Sequence, residues 1–152
     1  MAHEVLVTLS PSLRKTKHIL RNVIPQGIKL NSFPGPVEQV IMNMVNNSLR
    51  HALDEEDFGI MRMSAELSSS DEVKISFSDN GKGIPAQHIQ RIFDPFFTTK
   101  LGQGGSGLGL SIAYNIVTVM LGGRLEVHSE LGQGTEFIIE IPLTAPVEQR
   151  SA

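Results

Sequence analysis

Apolar residues recur along this chain with two different periods, and the period predicts the elements. From Pro36 to Leu53, Val40, Met44, Val45, Leu49 and Ala52 fall three or four positions apart, which gathers them on one face of a helix. Pro36 suits the first turn of that helix, where a missing N–H costs nothing. Period two takes over in Phe58 to Leu67 and Glu72 to Ser78, two predicted antiparallel strands joined by the polar turn Ser68 to Asp71. Arg124 to Ser129 and Thr135 to Leu143 form a second such pair across LGQG. His18 to Ile24 and Gly27 to Phe33 read as strands on either side of a Pro25-Gln26-Gly27 turn, able to pair as a hairpin.

Three further segments complete the pattern. Glu4 to Thr16 predicts a helix made irregular at Ser10 and Pro11. Pro85 opens a short helix to Phe93. Gly107 to Leu121, apolar almost all round, predicts a buried helix stopped by Gly122 and Gly123. No internal repeat is present. The expected class is α/β, a two-layer sandwich whose mixed, largely antiparallel sheet is covered on one face by helices. Residues 1–16 read as an N-terminal helical segment of the same domain, 17–143 as its core and 144–152 as a frayed tail.

Composition narrows the class without naming a function. A chain of 152 residues with 40% hydrophobic and 19% charged residues fits one soluble core, and a formal charge of -3 gives no reason to expect nucleic acid or an anionic membrane as partner. With no cysteine, disulfides and thiolate metal sites are excluded, in keeping with a reducing compartment. The start, MAHEVLVTLSPSLRK, lacks the basic leader and apolar run of a secretory signal. Leu108 to Leu121, the longest apolar stretch, is interrupted by Ser111, Tyr114, Asn115 and Thr118, too short and polar to span a bilayer.

The chemistry lies in the polar positions. Gln39, Asn43, Asn47 and His51 recur every four residues, so their side chains form one stripe on the helix that carries the apolar face. Asparagine is a mediocre helix former, and three in five positions (43, 46 and 47) call for either a solvated polar face or a ligand. As ligands, Asn47 and Asn43 would offer carbonyl oxygens to Mg²⁺, a hard cation that bridges phosphates, with Arg50 near enough to meet one. Asp79 ends a strand directly before Asn80, Gly81, Lys82 and Gly83. A carboxylate there can accept from an exocyclic amine while glycines let a ring approach the backbone. A second glycine cluster at 104–109 opens the apolar helix, where free amides favour anions.

Taken in order, NMVNNSLRH (43–51), SDNGKGIP (78–85), IFDPFFTTK (92–100), GGSGLGLS (104–111) and LGQGTEF (131–137) resemble the N, G1, F and G2 boxes and the last loop and strand of one family. That family is the ATP-binding catalytic domain of bacterial sensor histidine kinases, of the superfamily shared with gyrase B, Hsp90 and MutL. The resemblance covers nearly the whole chain and implies the Bergerat ATP-binding fold, with ATP and Mg²⁺ as ligands. It implies Asn43 and Asn47 at the metal and phosphates, Arg50 at a phosphate and His51 against the adenine. Asp79 would read the adenine amino group, Gly81 and Gly83 would shape its pocket, and Thr135 would support it through water. Gly105, Gly107 and Gly109 would line the phosphates. Ile84, Phe97, Thr98, Ser106 and Leu108 complete the implied nucleotide set. The segment from Asp94 to Gly105 resembles a lid anchored by Phe93, Phe96 and Phe97, with Lys100 placed for the terminal phosphate.

The implied reaction is transfer of the γ-phosphoryl group to a histidine on a separate dimerisation and phosphoacceptor domain, with a response regulator downstream in two-component signalling. Asn43, Asn47, Arg50 and Lys100 are the candidate catalytic residues. The chain reads as a fragment of a larger kinase, cytoplasmic and monomeric in isolation, whose parent has the option of an inner-membrane anchor. His3 and Glu4 lack the flanking pattern of a phosphoacceptor. Among competing readings, GQGGSG at 102–107 fits a loose dinucleotide pattern but follows no convincing strand, and no P-loop glycine-lysine-serine or -threonine occurs. Hydrolysis would need a general base where Asn43 offers a neutral amide. A catalytically silent nucleotide-binding module is the remaining alternative.

Overall fold

The computed structural model describes residues 19–22, 34–49, 59–97 and 108–143. The predicted helix over Glu4 to Thr16, the strand over Gly27 to Phe33 and the tail from Thr144 lie outside these. A five-stranded sheet is built from β1 (Ile19–Asn22), β2 (Ile60–Leu67), β3 (Glu72–Asp79), β4 (Arg124–Glu130) and β5 (Gly134–Pro142). Its order is β1-β2-β3-β5-β4. β1 runs parallel to β2 in the register Ile19 to Ile60, and every other pairing is antiparallel, so the sheet is mixed and largely antiparallel as the patterning implied.

Alternation sets the inner face. Val73, Ile75, Phe77 and Asp79 on β3 and Thr135, Phe137, Ile139 and Ile141 on β5 are buried, while the residues between them are half exposed. Phe77 and Phe137 stand directly opposite each other, and Phe93 meets the Phe137 ring at 6.4 Å, edge to face. Aromatic pairs in this arrangement contribute about 0.5–1.5 kcal/mol beyond the burial of their area.

Over that face lies α1 (Pro34–Asn47), which starts two residues earlier than the pattern suggested and buries Val37, Val40, Ile41, Met44 and Val45. Beyond Asn47 it widens into a π turn at Ser48 and Leu49. The short α2 (Ala86–Ile89) follows the β3 loop. α3 (Gly109–Asn115) packs against α1 and continues as a π-helical stretch, Ile116–Met120, closed by Leu121 N–H donating to the Ile116 carbonyl at 2.9 Å.

Here the sequence expectation of a helix buried all round needs correction. Ser111, Ala113, Val117 and Leu121 are buried, but Ile112, Tyr114, Val119 and Met120 are exposed. One stripe suffices to cover α1 and the sheet, while the other stays largely exposed, with the Tyr114 ring resting on Phe93 at 5.1 Å. Among the described residues, no helix is long and apolar enough to cross a membrane.

Candidate nucleotide site

Asp79 is the last residue of β3, paired with Met61 on one side and Thr135 on the other, and only 8% of it is exposed. The Ser48 hydroxyl donates to its Oδ2 at 2.8 Å, and the Gly81 N–H donates to its Oδ1 at 2.9 Å. Burial pushes the carboxyl above its ordinary range, while hydrogen bonds from the Gly81 backbone, Ser48 and the Thr135 backbone pull the other way. An ionised carboxylate at such a position costs stability unless it is well bonded, so its placement here points to a task other than folding.

The loop after Asp79 is welded to its surroundings. Asn80 accepts from the Ile60 N–H through Oδ1 at 2.8 Å, and its own N–H donates to the Ile60 carbonyl at 3.1 Å. Gly132 N–H reaches the Lys82 carbonyl at 2.8 Å, which ties the loop to the turn between β4 and β5. Gly83 has φ of 79°, and a Cβ there would collide with the Glu130 carbonyl oxygen. Gly134, with φ of 91°, is likewise pressed against the Asp79 carbonyl.

Ser129 is the hub of this contact. Its hydroxyl donates to the Gly134 carbonyl at 2.9 Å, and so accepts from the Ile84 N–H and the Thr135 hydroxyl, both at 2.8 Å. Asp79, Gly81, Ile84 and Thr135 are therefore brought together by hydrogen bonds, with Gly83 pressed against the Glu130 carbonyl beside them.

The other end is held by side-chain amides. Gln39 Nε2 donates to Asn43 Oδ1 at 2.8 Å, and Asn43 Nδ2 donates to the Gly109 carbonyl at 3.0 Å, tying α1 to the first turn of α3. Both ends of the Asn43 amide are thus engaged, with one lone pair of Oδ1 left over. Asn47 sits one turn further on and is half-buried. Leu108 adjoins Gly109, its carbonyl accepting from the Ser111 hydroxyl and the Ile112 N–H, each at 2.9 Å. Because Asn43 touches Gly109 and Ser48 touches Asp79, the five-residue step from Asn43 in α1 to Ser48 just beyond its end, about 7.5 Å along the axis, bridges the two glycine boxes. Among the described residues, no group of three or more His, Cys, Asp or Glu gathers as a metal site.

The three phenylalanines divide. Phe93 packs on Tyr114 and Phe137, and Phe97 sits beneath the Arg91 guanidinium at 4.7 Å and against the His88 ring at 5.3 Å. Phe96 is 70% exposed with φ of 67°, a backbone conformation a bulky residue rarely adopts. Arg50, His51, Thr98, Lys100, Gly105, Ser106 and Gly107 lie outside the described residues. Sequence reasoning missed Ser48 and Ser129. Ser48 carried a faint signal, a polar residue four positions after Met44 on the apolar stripe, whereas Ser129 carried none.

Comparison with known proteins bears directly on this arrangement. Residues 33–145 match the family described as histidine kinase-, DNA gyrase B-, and HSP90-like ATPase. The chain is 38% identical over 115 residues to the two-component sensor PprA of Pseudomonas aeruginosa, a match covering 74% of this chain and 12% of that protein. With the sensor histidine kinase ZraS of Salmonella typhimurium it shares 36% identity over 117 residues, covering 77% of this chain and 24% of ZraS. The chain thus spans less than a quarter of the length of these relatives. Among solved structures, the catalytic domain of histidine kinase ThkA superposes with a TM-score of 0.79 at 29% identity, over 93% of this chain and 91% of that one. The full-length kinase ShkA in complex with AMPPNP gives 0.74 at 26% identity, over 95% of this chain and 29% of that one. A sheet ending in a buried aspartate, roofed by an asparagine-bearing helix and matched along 33–145, makes the chain a member of the histidine kinase-, DNA gyrase B- and HSP90-like ATPase family, with the fold of histidine kinase catalytic domains.

Proposed function

We propose that this chain is the nucleotide-binding catalytic part of a larger sensor histidine kinase, presenting ATP to a histidine on a separate phosphoacceptor domain of the same protein. The carrying observation is Asp79, a buried carboxylate fixed by three hydrogen bonds beside glycines that leave no room for side chains. Ionised, it is an acceptor only, suited to the adenine amino group, and the Ser129–Thr135 hydroxyl pair supports the same end. The start of α3 near Asn43 and Asn47 is the phosphate end. Residues 17–143 form the core of this unit.

Asn47, with the spare lone pair of Asn43, would hold Mg²⁺ together with phosphate oxygens and water, and the ion would spread the charge of the phosphates. In the transfer, a neutral imidazole nitrogen of the acceptor forms a bond to the γ-phosphorus as the bond to the β–γ bridging oxygen breaks. ADP departs, and the proton on the other ring nitrogen passes to a base of the acceptor domain. Nothing in that step asks this chain for a base, which fits Asn43: its amide is neutral and occupied, unsuited to activating water. A response regulator would then take the phosphoryl group, in line with the relatives' description as two-component sensors.

The test is to mix the chain with ATP, Mg²⁺ and the acceptor domain of its parent protein. Acid-labile, base-stable phosphohistidine on the acceptor is expected. Steady phosphate release without acceptor, and no phosphohistidine, would instead indicate an ATPase.

A further inference from the structure

Ser48 is a fully buried polar residue to which the proposed reaction gives no task. A serine on a helix satisfies its hydroxyl most simply on the carbonyl four residues back. Ser48 donates instead across 31 positions to Asp79 Oδ2, at 2.8 Å. The bond coincides with the π turn at Ser48 and Leu49, a distortion that recurs at functional sites. The other carboxylate oxygen is held by Gly81 N–H at 2.9 Å. With Ser48 on one oxygen, Gly81 on the other and a third bond from the Thr135 backbone, rotation about the Cβ–Cγ bond is fixed before any ligand arrives.

We propose that Ser48 is a positioning residue for base selection: its hydroxyl locks the Asp79 carboxylate in the orientation that accepts an exocyclic amine, favouring a 6-amino over a 6-oxo purine. This rests on Asp79 being the base-reading group. An ionised carboxylate attracts an amine and repels a carbonyl, and that contrast is sharp only if the carboxylate cannot swing aside. Without Ser48, held only by backbone donors at Gly81 and Thr135, Asp79 would have more freedom to pivot and lose part of its preference. Ser48 has a second effect in the same direction, since its hydrogen bond opposes the upward push of burial and so favours the acceptor form of Asp79.

The experiment titrates the chain with ADP and with inosine diphosphate, in Mg²⁺, for the wild type, Ser48→Ala and Ser48→Cys, with thermal unfolding of each. The wild type is expected to bind ADP at least tenfold more tightly than inosine diphosphate. Both variants should lose roughly fivefold or more of that ratio, mainly through weaker ADP binding, as expected for one lost hydrogen bond to a charged group. Cysteine keeps the volume with a weak donor, so its falling with alanine separates the hydrogen bond from packing. Should Ser48→Ala fail to fold, Ser48→Cys decides alone. A wild-type ratio retained by Ser48→Cys would overturn the positioning role and leave Asp79 as the base reader. Failure of the wild type to bind ADP, or equal binding of the two nucleotides, would remove the Asp79 reading and the Ser48 role together.

Discussion

The two ends of the site are built by different means. Around Asp79 nearly every contact has a backbone group on at least one side, the other being backbone, a short hydroxyl, the Asp79 carboxylate or the Asn80 amide, and together they join β3, the following loop and the β4–β5 turn. At Asn43 and Gly109, half-exposed amide side chains hold one helix to another. The difference teaches how such a domain divides its work. Recognising a flat base demands a fixed acceptor in a shaped recess, whereas phosphates need donors at a helix start and tolerate a looser frame.

The strongest way to break the comparison is at the rigid end. Gly83→Ala places a methyl group against the Glu130 carbonyl at a positive φ, so we expect a loss of about 3 kcal/mol or more and an unfolding midpoint lower by roughly 10 °C. Thermal unfolding measures this, and a shift below about 2 °C would mean that the turn is not clamped. Asp79→Asn should act in the opposite sense on stability. Because the folded carboxyl is raised, its contribution is full below its ordinary value of 3.8 and lost as pH rises through the folded value. At neutral pH the variant should therefore match or exceed the wild type, by an amount of order 1 kcal/mol, and the gap should close as pH falls. A wild type whose advantage grows with pH would contradict that sign.

Smaller effects are expected at the looser end. Asn43→Ala removes the tie to Gly109 and should cost about 1 kcal/mol, read from denaturant midpoints, without disturbing the Asp79 loop. Arg91→Gln removes the cation over Phe97 at an exposed site and should cost about 0.5 kcal/mol. If Asn43→Ala proved as damaging as Gly83→Ala, the contrast between the two ends would disappear.

Much of this was legible in the sequence because the controlling contacts follow the chain's own periods. The limits of β2, β3, β4 and β5 fall within two residues of expectation, since alternation of one buried and one exposed face is written locally. The helix after Gly107 was misjudged because its exposed face is apolar too, and composition does not tell a covered face from an open one. The parallel pairing of β1 on β2 and the bond from Ser48 to Asp79 join residues 41 and 31 positions apart in the numbering, and no local pattern records such a partner. Ser129 is the clearest case: an ordinary strand residue by sequence, it holds three separate groups of the site by geometry alone.

Calorimetric titration of ADP with Mg²⁺ into the wild type and into Asp79→Asn, at a pH where both are shown to be folded, addresses the base-reading role of Asp79 with the fewest assumptions. Binding by the wild type and a loss of roughly 100-fold or more in the folded variant is the expected result, since the amide would turn a donor toward the adenine amine. Binding by Asp79→Asn within about threefold of the wild type would show that the buried carboxylate does not read the base.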